Sequence, residues 1–162
     1  MDIELDSILL FLHVIGATVL LGTGAGIAFF MVIANATRNP ALIAHVASTV
    51  VLADFLFTAT AVVLQPITGV ALALRIGWPL GEGWIFYSLA LYGIAGIFWL
   101  PVVRIQIHLR DLARQAARES TPLPAPYHRL YRIWFACGFP AFAAVLAIIW
   151  LMLTKPDLGR LF

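Results

Sequence analysis

The chain has 162 residues, of which 62% are hydrophobic and only 11% are charged, and its formal net charge is +2. Soluble domains carry about 25% charged residues, so this composition excludes an ordinary soluble fold and predicts an integral membrane protein in contact with the lipid bilayer. The single cysteine, Cys137, excludes an internal disulfide, a thiolate zinc site and covalent attachment of c-type haem.

The first element follows an N-terminus, MDIELDS, that carries three acids and no Lys or Arg. A secretory signal peptide begins with basic residues, so we expect the first apolar run to be retained. A hydrocarbon core about 30 Å thick requires about 20 apolar residues of helix. Four stretches are long enough, and we predict membrane-spanning helices at 7–33, 42–74, 84–107 and 128–154.

The second predicted span is too long for one perpendicular crossing, and it contains the pair Gln65-Pro66. Proline lacks a backbone N–H and clashes with the preceding helical turn, so we expect a kink or a break at this pair. Residues 67–74 are then either a tilted continuation of the span or a short element at the membrane surface.

Asp54 is the only acid well inside an apolar span. Together with Thr58, Ala61 and Gln65 it recurs at i, i+4, i+7 and i+11, which places one small or polar stripe on one helix face. An ionised Asp exposed to lipid at mid-membrane costs about 2.5–3.5 kcal/mol. We therefore expect the stripe to face the bundle interior, either as a functional group or as polar glue between helices.

His13 lies in the first span, in the run LHVIGATVLLGTGAGIAFF. By helical rise it lies about 9 Å from the outer end of its helix, and Asp54 lies about 12 Å from the outer boundary. We therefore predict that His13 and Asp54 share a depth and face one interior cavity. Gly16 follows on the histidine face, where a small residue lets a flat group approach the backbone. The alternative is a structural histidine with a polar partner, and for the pair Gly22 and Gly26 it is close helix packing.

The third span carries Ser88, Tyr92, Ala95 and Trp99 at the same helical spacing, and Gln106 extends this stripe toward the arginine-rich connection. The stripe either lines a site or fills the bundle core with aromatic side chains.

The connection between the third and fourth spans is rich in arginine, and positive residues favour the cytoplasmic side. We predict an all-α fold, a bundle of four transmembrane helices with both termini on the outer side. Residues 1–162 form one integral membrane domain, in which 104–127 are a cytoplasmic basic helix extension and a Pro-rich loop. Orientation accounts for the basic residues, so we expect no nucleic-acid partner. Six of the ten basic residues lie in or beside this connection: Arg104, Arg110, Arg114, Arg118, Arg129 and Arg132.

The remaining histidines lie at predicted cytoplasmic helix ends, where contact with lipid headgroups is the usual role. Their spacing is not that of a compact metal site, and Cys137 is expected to be a small packing residue. These histidines are His45, His108 and His128.

Three motifs carry a resemblance to a known family: LHVIGATVLLGTGAGIAFFM, ADFLFTATAVVLQPITG and GWIFYSLALYGIAGIFWLPVVRIQIHLRDLA. They resemble domain of unknown function family 2269, small integral membrane proteins of bacteria, over nearly the whole chain. More distantly, the first helix is similar to that of membrane-bound protoporphyrinogen oxidases with b-type haem and of copper-resistance proteins of the CopD type. In those oxidases a first-helix histidine and a lysine in a later helix are important. His13 matches the histidine, and no lysine lies in a predicted span.

The resulting expectation is a haem-b-binding, four-helix redox protein of the bacterial inner membrane. His13 would be the axial metal ligand, and Gly16, Thr58 and Trp99 would complete the cofactor site. Catalytic roles, such as proton relay, would fall to Asp54, Gln65 and Tyr92. The alternative is a cofactor-free transport or accessory subunit that handles a proton, a metal or a small solute. Haem or a quinone-like molecule is the expected ligand, and a second copy or another membrane protein is a candidate partner.

Overall fold

The computed structural model describes residues 3–161, so Asp2 of the acidic N-terminus lies outside the described residues. The described chain is all-α, as predicted, and four of its helical segments are long and apolar enough to cross a membrane. The helices are α1 (Ile3–Ala36), α2 (Pro40–Ala53), a π-helical turn (Asp54–Thr58), α3 (Ala59–Ile76), α4 (Gly83–Glu119) and α5 (Ala125–Thr154).

The four spans are α1, the continuous unit α2–π-turn–α3, α4 and α5. At 37 residues, α4 is about 55 Å long and exceeds a hydrocarbon core of about 30 Å. Beyond residue 104, α4 continues to Glu119, and the Pro-rich connection follows it.

The second span is not broken at Pro66, because α3 runs through it to Ile76. Residues 67–74 therefore continue the helix, and the alternative of a separate surface element is wrong. Pro66 cannot donate to Val62, the residue one turn earlier. The Tyr92 hydroxyl donates to the Val62 carbonyl oxygen instead, at 2.5 Å. A side chain from α4 thus satisfies the acceptor that the proline leaves without a partner, which explains how the helix continues.

Capping residues explain where the second span begins and ends. The Asn39 side chain accepts from the backbone N–H groups of Ala41 and Leu42, and Pro40 occupies the first helical turn; both features favour a helix start. Gly77 ends α3 with a φ of 89°, a left-handed conformation that glycine adopts without steric penalty.

Contacts at both ends fix the helices as antiparallel neighbours. At one end, Asp6 of α1 pairs with Arg75 of α3, and the Gly83 N–H of α4 donates to the Gly159 carbonyl after α5 at 2.8 Å. We call this the terminal end, since both chain ends lie there. At the other, arginine-rich end, the Tyr127 hydroxyl contacts Asn35 Oδ1 at 3.2 Å.

The largest buried core lies toward the arginine-rich end, where Met31, Ile43, Leu109 and Tyr127 are almost fully inaccessible. Many other large apolar side chains point outward along the spans, including Phe11 and Ile97. Outward apolar faces suit helices whose solvent is lipid. A side-chain carbon at Gly22 or Gly26 would touch no other helix in the described chain, so the packing expected of this pair is not found within the bundle.

Candidate functional site

A cavity of about 360 Å³ lies between the spans, and all four contribute to its wall. Most of the wall is apolar or aromatic, and small residues such as Gly24, Gly96 and Gly138 leave it open. Phe139 lines the cavity and is also 63% exposed. The cavity therefore reaches the outer, lipid-facing surface beside α5.

The polar wall of the cavity comes from the second span and α4. Asp54, Thr58, Gln65, Tyr92 and Trp99 all line it, so the structure brings together five of the seven residues that the sequence singles out. The predicted inward stripe of the second span is confirmed, because Asp54, Thr58 and Ala61 are buried.

The Asp54 carboxylate is 4% exposed and is held by N–H groups from α4. The Trp99 indole N–H donates to Oδ1 at 3.4 Å. With the Gln106 amide oriented to suit its neighbours, Nε2 donates to Asp54 Oδ2 at 3.0 Å and Oε1 accepts from the Trp134 indole N–H at 3.2 Å. Asp54 thus connects the second span to α4 and, through Gln106, to α5.

The direction of these hydrogen bonds follows from Trp134. An indole N–H can only donate, so the Gln106 oxygen must face Trp134 and its nitrogen must face Asp54. Asp54 Oδ2 is therefore an acceptor, and Oδ1 accepts from Trp99. Both carboxylate oxygens of Asp54 thus accept a hydrogen bond from a neutral donor.

The π-helical turn sets the direction of Asp54 and Thr58. Its hydrogen bond runs from the Ala59 N–H to the Asp54 carbonyl, five residues back. Asp54 and Thr58 are buried, whereas the three residues between them, Phe55, Leu56 and Phe57, are more than half exposed. Single π-turns in helices occur frequently at functional sites. The sequence did not reveal this turn.

Thr58 adds a polar atom that is not satisfied within the bundle. Its hydroxyl oxygen is buried and has no hydrogen-bond partner among the described residues, although it lies close enough to Asp54 to influence the carboxylate. Buried hydroxyls normally have a partner. The hydroxyl hydrogen of Thr58 can point to the Asp54 carboxylate, which leaves the lone pairs of its oxygen available on the cavity wall.

His13 belongs to a second polar cluster beside the cavity, with Gln65 and Thr68. Thr68 Oγ1 lies 2.8 Å from the Leu64 carbonyl, to which it donates, and 3.1 Å from His13 Nδ1. With the hydroxyl hydrogen on Leu64, His13 carries its proton on Nδ1 and donates to Thr68. In this tautomer Nε2 faces the Gln65 amide nitrogen at 3.4 Å.

Two glycines make room for this cluster. A side-chain carbon at Gly69 would lie 2.8 Å from His13 Cε1, and one at Gly16 would overlap Gln65 Oε1. Gly16 thus permits close approach on the histidine face, as predicted, and the group that approaches is the Gln65 amide. Gln65 Oε1 is buried there without a hydrogen-bond partner among the described residues.

The prediction that His13 and Asp54 face one cavity is wrong. Asp54 lines the cavity and His13 does not, and Gln65, the neighbour of His13, lies about 16 Å along the span from Asp54. The depth estimate was wrong because the second span is longer than the hydrocarbon core: Asp54 lies 22 residues before Ile76, or about 33 Å from that end.

Sequence reasoning missed Trp134, Thr68 and Gly69. Thr68 lies three residues after Gln65, which is neighbouring spacing on a helix, so this signal was present. Trp134 could not be assigned without knowing which face of α5 meets Gln106. Within residues 3–161, no three side chains among His, Cys, Asp and Glu converge on one point that could hold a metal ion.

Long apolar helices with lipid-facing hydrophobic surfaces and a polar interior define a multi-pass, α-helical integral membrane protein. The family described as predicted integral membrane protein (DUF2269) matches residues 7–156. The chain belongs to this family, which confirms the resemblance found in its motifs. No curated protein and no solved structure is significantly similar to the chain.

Proposed function

We propose that the protein binds a small, largely apolar molecule that enters its cavity from the bilayer, and that it acts as a transport or accessory membrane subunit for this solute. The observation that carries the proposal is the cavity itself, apolar over most of its wall and with the Asp54 carboxylate in its polar part.

The dimensions and chemistry of the cavity support this function. Sites for small molecules typically measure about 300–1,000 Å³ and combine apolar walls with a few placed polar groups. A volume of about 360 Å³ falls in that range. Access beside the exposed ring of Phe139 would admit a molecule directly from the lipid phase.

A purely structural role for Asp54 is the main alternative, because Trp99 and Gln106 bind it across helices. Polar side chains in membrane bundles often only join helices. The open volume beside the carboxylate favours a binding role, because a purely structural contact between helices does not require one.

The expected haem-b site fits these residues less well. An axial ligand needs a free ring nitrogen facing a flat, open space, whereas His13 Nε2 faces the Gln65 amide and Gly69 lies directly against the ring. Gln65 lines the cavity and His13 does not. The proposed function therefore involves no haem, and haem binding stays a prediction from the distant likeness to haem-containing oxidases.

A matched pair of glycine substitutions on α4 tests the binding proposal. Gly96 lines the cavity and Gly93 does not, and a side-chain carbon at either position meets open space. Binding of decylubiquinone, an apolar quinone probe, would be measured by tryptophan fluorescence quenching in lipid nanodiscs, with empty nanodiscs as the baseline. We expect Gly96→Leu to weaken binding at least tenfold and Gly93→Leu to leave it unchanged. Equal binding by the two variants and the wild type would contradict the proposal.

An absorption spectrum tests the haem alternative on the same preparation. A Soret band that shifts on dithionite reduction and disappears in His13→Ala would support haem ligation by His13. We expect protein expressed with added haem to show no such band, because the Gln65 amide nitrogen lies 3.4 Å from His13 Nε2 and Gly69 lies against the ring.

A further inference from the structure

We propose that the molecule bound in the cavity is a lipophilic organic cation that pairs with the ionised carboxylate of Asp54. The inference rests on the proposed function, since it names the chemical class of the solute at the same site. It follows from the charge of the site, its lack of a counterion and its aromatic walls.

The hydrogen bonds around Asp54 suit an ionised carboxylate. Trp134 fixes the Gln106 amide, and the amide nitrogen then donates to Asp54 Oδ2 at 3.0 Å. The Trp99 indole donates to Oδ1. Both oxygens are held as acceptors by neutral donors, an arrangement that suits a carboxylate.

The described residues place no cation beside the Asp54 carboxylate. No Lys or Arg in the described chain lines the cavity, and the two ion pairs among residues 3–161 involve Asp6 and Asp111. A buried charge is unfavourable unless it is paired. A cationic occupant would supply the missing charge, whereas an anionic occupant would be repelled.

The cavity wall around Asp54 is rich in aromatic rings. The rings of Trp99, Trp134, Phe135 and Phe142 line the cavity together with Asp54. Aromatic faces attract organic cations, most strongly where water is excluded. The Thr58 hydroxyl oxygen, also in the cavity wall, adds an acceptor for an ammonium N–H. A carboxylate surrounded by aromatic rings discriminates in favour of an apolar cation over a neutral molecule of similar size.

The same geometry makes protons compete with the cation. Asp54 and Tyr92 are the only ionisable side chains of the described residues that line the cavity; α1 contributes aliphatic residues and glycine, and α5 contributes aliphatic and aromatic residues. Protonation of Asp54 removes the charge that the cation needs. Cation binding should therefore weaken as the pH is lowered through the pKa of this carboxyl, and binding of a neutral molecule should not.

Two probes of the same shape and opposite charge test the inference: tetraphenylphosphonium and tetraphenylborate. Equilibrium dialysis would use the full chain in nanodiscs, with empty nanodiscs subtracted. We expect tetraphenylphosphonium to bind and tetraphenylborate not to bind. Asp54→Asn should weaken tetraphenylphosphonium binding at least tenfold, Gly96→Leu should also weaken it, and Gly93→Leu should not.

Equal binding of the two probes, or unchanged cation binding in Asp54→Asn, would overturn the inference. If Asp54→Asn does not fold, the pH dependence of the wild type decides: cation binding that does not weaken on acidification contradicts the proposal. Binding of decylubiquinone distinguishes failure of the cation inference from failure of the proposed function. If decylubiquinone binds and Gly96→Leu blocks it while tetraphenylphosphonium does not bind, the cavity function stands and the cation inference fails. If neither decylubiquinone nor tetraphenylphosphonium binds, both are contradicted.

Discussion

The hydroxyl of Tyr92 donates to the backbone carbonyl of Val62, the acceptor that Pro66 leaves without a partner. This hydrogen bond lets a proline lie inside a membrane-spanning helix without breaking it, because an unpaired carbonyl in apolar surroundings is unfavourable. It also gives Tyr92 a structural role in the cavity wall that is independent of any role toward a ligand.

Tyr92→Phe should destabilise the bundle by about 1–3 kcal/mol, because it leaves a half-buried carbonyl without its donor. Pro66→Ala restores a backbone N–H at that carbonyl. We therefore expect the Tyr92→Phe change to have a smaller effect in the Pro66→Ala background than alone. Unfolding in mixed detergent micelles measures both, and strictly additive effects would contradict this role for Tyr92.

The hydrogen-bond direction around Asp54 gives a second prediction. In Asp54→Asn the introduced amide nitrogen must face a donor, Trp99 or Gln106, so one N–H group loses its acceptor at a cost of about 1–3 kcal/mol. Adding Gln106→Glu reverses the direction of the hydrogen bond between positions 54 and 106. The carboxylate introduced at position 106 would accept from the amide introduced at position 54 and from the Trp134 indole N–H. The double variant should be more stable than Asp54→Asn in the same unfolding assay. A double variant less stable than either single variant would show that the assigned direction is wrong.

Gly69 gives a prediction about the second cluster. Gly69→Ala would place its methyl group against the His13 ring, and overpacking of this kind typically costs about 1–3 kcal/mol. Removing the ring in His13→Ala should relieve the clash, so the two changes together should be less destabilising than their sum. Gly93→Ala is the matched control, since a methyl group there meets open space and should have little effect.

The orientation of the bundle stays a prediction from the arginine distribution. We expect Glu119 to face the cytoplasm and Asp157 to face the outside. Each would be replaced by cysteine in a Cys137→Ala background, so that the native thiol does not react, and labelled with a membrane-impermeant maleimide on intact cells. The cysteine at position 157 should react and the one at position 119 should not. The reverse pattern would invert the topology.

The sequence was sufficient to predict four membrane-spanning helices, because the lipid environment requires apolar runs of a certain length and such runs can be recognised without knowledge of the packing. The inward stripes of Asp54 and Tyr92 followed from helical spacing in the same way. The axial register of neighbouring helices could not be predicted from the sequence, because it depends on how side chains fit together across the interfaces. Hence His13 was matched with Asp54, although its observed partners are Gln65 and Thr68.

The sequence also misplaced the irregularity of the second span, which it put at Pro66 and not at Asp54. Local chemistry pointed to an interruption at the proline, yet Tyr92, distant in sequence, removes the need for one. The actual irregularity lies at Asp54–Thr58, in a segment that contains neither proline nor glycine. No residue type in this segment predicts the turn.

The π-turn has a consequence for how the second span tolerates changes in length. The turn closes its hydrogen bond over five residues instead of four, so it takes up one additional residue while the helical segments on either side keep their orientation. Deletion of one of the lipid-facing residues Phe55, Leu56 and Phe57 would therefore leave an ordinary α-helical turn, with Asp54 and Gln65 still on one wall. Deletion of a residue in the α-helical stretch between Thr58 and Gln65 would instead rotate Asp54 against Gln65 by about 100°.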